Sequence, residues 1–248
     1  MARLVPLDLL MVSTSAHRMG VVGALGTLAG IALSGPIAVG IVSATRPQPP
    51  WSGADVFSAH YHPLQLLPYA GGLLLVVGLL VVVACAHALA DEGSKAHTSL
   101  GILFASVFAT MIFGNYTIQS AFIPVLVREG GAGNAALIAA LSMSNPRSLA
   151  WALEMWGWGF CGAATWCIAP VFASRWLRRV AFANAVVSIA GALLTSAAPG
   201  WVLTAAGIAA FLFWNALLCL LALLWLAAFR GASRSTGASL ARAVPRGV

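Results

Sequence analysis

Six long apolar runs are the feature that most constrains what this chain can fold into. A helix needs about 20 mostly apolar residues to cross the hydrocarbon core of a bilayer. Helices satisfy their own backbone hydrogen bonds there, which irregular chain cannot do. We therefore predict an all-α integral membrane protein built as a bundle of six transmembrane helices. The predicted spans are 20–43, 64–90, 98–127, 147–173, 180–198 and 201–229.

The composition agrees with this interpretation, because 60% of the 248 residues are hydrophobic and only 8% are charged. Soluble domains carry about 25% charged residues. The spans occupy most of the chain, so we predict a single domain over 1–230. The segment 231–248 is rich in Ser, Ala, Gly and Arg and is predicted to be a disordered tail. The run that begins near residue 20 is too long for the core of a signal peptide, so we expect it to be a span.

The distribution of basic residues predicts the orientation. With six spans, ten Lys and Arg residues fall on one side of the membrane: Arg3, Arg18, Lys95, Arg175, Arg178, Arg179, Arg230, Arg234, Arg242 and Arg246. Three fall on the other side: Arg46, Arg128 and Arg147. The positive-inside rule then places both termini in the cytoplasm, with the bundle in an inner or plasma membrane.

The same distribution accounts for the net charge of +7. No basic surface interleaved with aromatic residues is evident, so we do not expect nucleic acid as a partner. The expected partners are membrane lipids, and either other membrane subunits or a second copy of the chain.

Glycines cluster in two of the predicted spans. Span one contains Gly20, Gly23, Gly26 and Gly30, and span four contains Gly157, Gly159 and Gly162. Small residues allow helix backbones to approach closely within a membrane. We expect these residues to serve packing inside the bundle. The alternative is a dimer face on span one.

Glu154 is the only acidic residue inside a predicted span. A charged residue at the centre of a transmembrane helix costs about 2.5–3.5 kcal/mol on insertion scales. We therefore expect Glu154 to face the interior of the bundle. Span three runs in the opposite direction, which places Gln119 at a similar depth as a hydrogen-bond partner. Asn115 precedes Gln119 by four residues and shares its helix face.

These polar residues, together with nearby aromatic rings, predict a pocket that opens outward between spans three, four and six. The predicted ligand-binding residues are Glu154, Gln119, Asn115, Tyr116, Trp151, Trp158 and Asn215. The alternative is structural. Buried polar side chains link membrane helices at about 0.6 kcal/mol per bond, and tryptophans are common in the aromatic belts of membrane proteins.

His60 and His62 are spaced H-x-H in the first outer loop. Neutral imidazole is a common metal ligand, so these two residues are predicted metal ligands. Glu154 would complete the metal site from below. The sequence does not identify a cofactor.

Three functions follow from these features. Phosphate-binding loops, nucleophile elbows and H-E-x-x-H zinc motifs are missing from the sequence, which favours a non-enzymatic role. The first hypothesis is binding or transport of a small molecule or lipid through the pocket around Glu154, since intramembrane carboxylates mark substrate or proton paths. The second is an accessory subunit of a larger membrane complex. The third is a membrane-embedded metalloenzyme.

Overall fold

The computed structural model describes residues 7–243, with side chains described over 13–231. All regular structure in residues 7–243 is helical. The α-helices are α1 (Leu7–Ala32), α2 (Ala38–Thr45), α3 (Ala54–Ala59), α4 (Leu67–Leu89), α5 (Glu92–Thr117), α6 (Ile123–Glu129), α7 (Ala132–Leu141), α8 (Leu149–Ile168), α9 (Arg175–Ala197) and α10 (Ala205–Ala243). Two π-helical segments, Leu33–Ile37 and Ile118–Phe122, join α1 to α2 and α5 to α6. Three short 3-10 turns lie at Pro63–Leu66, Ala169–Val171 and Trp201–Leu203.

Five helical segments are long and apolar enough to cross a membrane, which indicates an integral membrane protein. They are Ser13–Thr45, Pro63–Leu89, Glu92–Glu129, Arg175–Ala197 and Ala205–Gly231. The all-helical class is thereby confirmed, and the five candidate spans are compatible with a helical membrane bundle. The sixth predicted span, 147–173, corresponds to α8, which is not among the five. Its composition is less apolar because it holds Glu154 among alternating tryptophans and glycines.

The six long helices form a ring in chain order. Each of α1, α4, α5, α8, α9 and α10 packs against its neighbours in the chain, and α1 closes the ring against α10. Consecutive helices are antiparallel. His87 at the end of α4 contacts Thr98 near the start of α5, at 2.8 Å, while Gly72 near the start of α4 lies against Tyr116 near the end of α5. Short connections favour this arrangement.

The contact between α1 and α4 depends on glycine. A Cβ atom added to Gly23 would lie 2.9 Å from the carbonyl oxygen of Gly78, and one added to Gly78 would lie 2.8 Å from that of Gly23. Gly30 lies in the same way against the backbone of Leu75. These glycines therefore pack inside the bundle, as we expected.

A small apolar cluster covers one end of the ring. The segment Glu92–Glu129 has 38 residues, which at about 1.5 Å per residue exceeds a hydrocarbon core of about 30 Å. The far end of this segment packs with α3 and α7 around four buried residues: Phe57, Ile123, Leu126 and Ile138. We call α3, α6, α7 and the loops between 46 and 66 and between 142 and 148 the cap.

Both ends of the last long helix differ from the predicted ones. The last long helix begins at Ala205, after a 3-10 turn at Trp201–Leu203, and not at residue 201. Its backbone continues to Ala243, past the point at which we expected the tail to lose regular structure. Residues 244–248 lie outside the described range, so the disordered tail stays a prediction.

We expect Gly78→Ala to lower the thermal stability of the protein, because the new methyl group would meet the backbone of α1. Overpacking of this kind costs about 1–3 kcal/mol. The matched control is Gly114→Ala in α5, where no atom lies within 4 Å of an added Cβ and alanine favours the helix. The midpoint of thermal unfolding in mild detergent measures both. Equal midpoints for the two variants would contradict the proposed α1–α4 packing.

Candidate functional site

Glu154 lies close to the cap end of α8, at 8% exposure. The predicted span began at residue 147. The helix begins instead at Leu149, with the Ser148 hydroxyl as its N-cap, accepting a hydrogen bond from the Trp151 backbone N–H at 3.4 Å. The carboxyl group is therefore about 8 Å from the helix start at a rise of about 1.5 Å per residue.

Three neutral donors converge on the Glu154 carboxyl group. Asn115 Nδ2 donates to Oε2 at 3.0 Å. Tyr116 OH and Trp158 Nε1 both donate to Oε1, each at 2.8 Å. We define these four residues as the Glu154 cluster. Asn115 and Tyr116 lie on α5 and Trp158 lies one turn along α8, so the cluster connects two neighbouring helices of the ring.

Gln119 extends the Glu154 cluster into the cap. Its Nε2 donates to Asn115 Oδ1 at 3.3 Å and to the carbonyl of Leu141 at 2.8 Å, and its Oε1 accepts from the Met143 backbone N–H at 3.0 Å. The predicted shared face of Asn115 and Gln119 is confirmed. The expected direct bond between Gln119 and Glu154 is not formed, because Asn115 lies between the two side chains.

A π-helical segment places Gln119. This residue lies within Ile118–Phe122, where α5 widens before α6 begins. π-Helical turns are rare and often occur at functional sites. The second such segment, Leu33–Ile37, contains Pro36 and packs against α4.

The predicted aromatic residues have different positions. Trp158 is buried, and its ring centroid lies 4.9 Å from those of both Phe108 and Trp214. Trp151 is half-buried and donates to the carbonyl of Met143 at 2.7 Å. Trp158 therefore belongs to the bundle core, while Trp151 ties α8 to the loop that precedes it.

Asn215 does not join the Glu154 cluster. Its side chain is half-buried and donates to the carbonyl of Phe211 in its own helix, at 2.9 Å. The preceding residue, Trp214, faces the interior instead and donates to Ser188 Oγ at 2.9 Å. Asn215 was predicted because it is a polar residue near the centre of a span. The sequence does not determine the rotation of the helix, and in the structure this rotation turns Trp214 inward instead.

A cavity of about 210 Å³ lies beside the Glu154 cluster, under the cap. Its wall comes from α2, α4, the α5–α6 junction and the cap loops. The lining residues are Val39, Val42, Ser43, Gln48, Phe57, Tyr61, Gln65, Leu66, Pro68, Tyr69, Gln119, Ile123, Ser142 and Ser144. Of the predicted ligand-binding residues, Gln119 alone is among them. The cavity thus lies on the α1–α4 side of α5, not between α5, α8 and α10 as expected.

Sequence analysis missed most of this wall because the cap residues come together only in the folded chain. The signal nearest to it was the His60-Tyr-His-Pro63 stretch, which we interpreted through its histidines. Tyr61 is the member of that stretch that lines the cavity. Its neighbour in the wall, Tyr69, follows two residues after the α4 start.

The cavity wall and the Glu154 cluster are in direct contact. The rings of Tyr69 in the wall and Tyr116 in the cluster have centroids 5.3 Å apart. Gln119 in the wall donates to Asn115 in the cluster. The carboxyl group of Glu154 therefore lies one side chain behind the wall.

Polar side chains of the wall differ in their hydrogen bonding. Gln48 donates to Gln65 at 3.0 Å and accepts from the Ser144 hydroxyl at 3.2 Å. By contrast, the hydroxyls of Tyr61 and Tyr69 both lack a hydrogen-bond partner among the described residues. The Tyr61 hydroxyl is buried, and burial raises its pKa, so the phenol stays neutral. The Tyr69 hydroxyl is not fully buried, so a ligand oxygen in the cavity could accept a hydrogen bond from it.

The two predicted metal ligands are held by the main chain of the cap. His60 Nδ1 lies 2.9 Å from the carbonyl of Val56, and His62 Nδ1 accepts from the Leu64 backbone N–H at 3.2 Å. Within the described residues, no group of three or more His, Cys, Asp or Glu side chains is placed to hold a metal ion. The structure does not bring these histidines together with Glu154.

Searches against known protein families, curated proteins and solved structures found no match for this chain. The functional interpretation therefore depends on the geometry of the site. That geometry offers a cavity with a neutral polar wall and a Tyr69 hydroxyl that is unpaired among the described residues. Such a site can bind a molecule by hydrogen bonds and apolar contact.

We expect Tyr116→Phe to lower the midpoint of thermal unfolding by several degrees, because it removes a buried donor from Glu154 and costs about 1–3 kcal/mol. The control is Tyr69→Phe, the same change in the neighbouring ring, whose hydroxyl has no described partner. This control should leave the midpoint unchanged. If both variants lose stability equally, the hydrogen bond to Glu154 does not support the bundle.

Proposed function

We propose that this protein crosses the membrane six times, with both termini in the cytoplasm, and binds a small molecule or lipid in the cavity under the cap. The observation that carries the proposal is the cavity beside a polar network, with a Tyr69 hydroxyl in its wall that has no hydrogen-bond partner among the described residues. A ligand that accepts hydrogen bonds would pair this hydroxyl. The cavity of about 210 Å³ is smaller than the 300–1,000 Å³ typical of drug-sized ligands, so it fits a small molecule or one end of a longer one.

The packing of α8 supports six crossings. Its 20 residues extend about 30 Å, which matches the hydrocarbon core. It lies antiparallel to α5, with Ile168 next to Gly101 at one end and Glu154 bonded to Asn115 at the other. Because α8 packs along the candidate span that contains α5 over this whole length, it crosses the same thickness of the membrane. Its polar residues are tolerated because they face the bundle.

The placement of the arginines supports the orientation. Arg46, Arg128 and Arg147 lie in or beside the cap. Lys95 and the arginines at the start of α9 lie at the opposite end of the ring. By the positive-inside rule the cap faces away from the cytoplasm, so the cavity is on the outer side.

Cysteine labelling in intact cells tests this topology. We expect Gly133→Cys in α7, an exposed position with open space, to react with a membrane-impermeant maleimide. Arg178→Cys, exposed near the start of α9, should react only with a permeant one. The chain without an introduced cysteine controls for its native thiols. Impermeant labelling at both positions would mean that α8 does not cross.

Glu154 has a positioning role in this proposal. It accepts hydrogen bonds from Asn115 and Tyr116, which in turn contact the wall residues Gln119 and Tyr69. The carboxyl group therefore fixes the shape of the wall without lining the cavity. This differs from our expectation that Glu154 binds the ligand directly.

Native mass spectrometry of protein extracted gently from its own membrane tests ligand binding. We expect a small, saturable adduct on the wild-type chain and its loss in Val42→Trp, because the indole would fill the cavity. The matched control is Ile41→Trp on the adjacent, exposed position of α2, which does not line the cavity. This control should keep the adduct.

Two outcomes would contradict the proposal. One is a wild-type protein that carries no adduct at all. The other is an adduct that both tryptophan variants retain, which would place the ligand elsewhere. Additional protein chains in the spectrum would instead favour the accessory-subunit hypothesis.

A further inference from the structure

We infer that the cavity binds the headgroup of a neutral lipid that carries carbonyl or hydroxyl oxygens, and that the chain of this lipid leaves the cavity along α2 into the outer leaflet. The inference rests on the proposed function and names the ligand class for the same site. Three features of the wall lead to it: its charge, its free donors and its apolar rim.

The charge of the wall excludes ionic headgroups. All 14 lining residues are uncharged at neutral pH, and they include no Lys, Arg, His, Asp or Glu. Transfer of an ion from water into such a site without a partner is strongly unfavourable. A phosphate or carboxylate headgroup would lie there without a cation. The ligand headgroup is therefore neutral.

The free donors of the wall select for acceptor oxygens. Gln48, Gln65 and Gln119 already donate to protein acceptors. The hydroxyl of Tyr69 lacks a hydrogen-bond partner among the described residues and is not fully buried. A carbonyl or hydroxyl oxygen of the headgroup would accept a hydrogen bond from it. The Phe57 ring in the same wall adds an apolar surface for the rest of the headgroup.

The rim on the α2 side connects the cavity to the surface that faces lipid. Val39 lines the cavity and is 54% exposed at the same time. It belongs to the segment Ser13–Thr45, which is long and apolar enough to cross a membrane. Ile37 and Ile41 beside it are exposed as well. An acyl or isoprenoid chain can therefore continue from the cavity along an apolar surface inside the bilayer.

Cap contacts brace the cavity on its other side. Gln48 bridges the start of α4 and the loop after α7, through Gln65 and Ser144. Phe57 packs into the apolar cluster of the cap beneath these side chains. On the α2 side, Val39 and Val42 give the cavity a mainly apolar rim beside Ser43. A cavity of this volume holds a headgroup better than a whole lipid.

The test uses the full chain in mild detergent and three probes. They are 1-monooleoylglycerol, oleoyl lysophosphatidate, which keeps the glycerol and the chain but adds a phosphate, and glycerol alone. Binding is titrated by native mass spectrometry. We expect saturable one-to-one binding of monooleoylglycerol, binding of lysophosphatidate at least tenfold weaker, and no saturable binding of glycerol.

Variants assign the binding to this cavity. Tyr69→Phe keeps the ring and removes a donor that has no described partner, so folding should be unchanged. It should weaken monooleoylglycerol binding about fivefold, the value of one hydrogen bond of about 1 kcal/mol. The matched control is Tyr61→Phe, whose hydroxyl is buried and whose loss should leave the affinity unchanged. Val42→Trp should abolish this binding, and Val186→Trp, at an exposed position of α9 that does not line the cavity, should preserve it.

Failure of this inference is distinguishable from failure of the proposed function. If the native adduct is lost in Val42→Trp but monooleoylglycerol does not bind, the cavity binds a ligand of another class and the inference is wrong. Equal binding of lysophosphatidate would overturn the argument from charge. Saturable binding of glycerol as tight as that of monooleoylglycerol would overturn the role of the α2 rim. Unchanged affinity in Tyr69→Phe would overturn the role of its hydroxyl.

Discussion

The hydrogen bonds that converge on Glu154 determine how the cap end of the bundle is built. Inside a low-dielectric interior, a carboxyl group without partners is costly, and here Asn115, Tyr116 and Trp158 supply three donors. The requirement to satisfy this group fixes the rotation of α5 against α8. Since Gln119 follows on the same face of α5, the loop after α7 is held in register as well.

The cavity follows from that arrangement. With Tyr116 turned towards Glu154, its ring packs against Tyr69 and against Gly72, whose missing side chain leaves room for it. The other face of Tyr69 borders the cavity. Polar groups in the bundle interior are therefore in two layers. The inner layer is paired and structural, whereas the Tyr69 hydroxyl of the outer layer has no hydrogen-bond partner among the described residues.

Sequence patterns predicted the helical membrane class, the positions of five spans and the inward direction of Glu154, because hydrophobicity and the cost of buried charge act locally along the chain. They failed where the rotation of a helix or a long-range contact determines which residues meet. Trp214 and Asn215 are adjacent, and only the packing of Trp214 against Trp158 determines that Trp214 is the one that faces the interior. Gln48 bonds both Gln65 and Ser144, and Ser144 lies 96 residues further along the chain. No local sequence pattern predicts that contact. The start of α8 was misplaced because Asn145–Pro146 resembles a helix start, while Ser148 supplies the N-cap.

Closure of the ring between α1 and α10 has a consequence for biosynthesis. Gly20 on α1 lies against the ring of Phe229 on α10, so the first long helix completes its packing only with the last. The contact between α1 and α4 is available early, since domains form from the N-terminus during synthesis. Until α10 is inserted, the Gly20 face of α1 has no protein neighbour from that helix. The contact between α1 and α10 is thus the last helix contact of the bundle to form, and a chain truncated before α10 cannot form it.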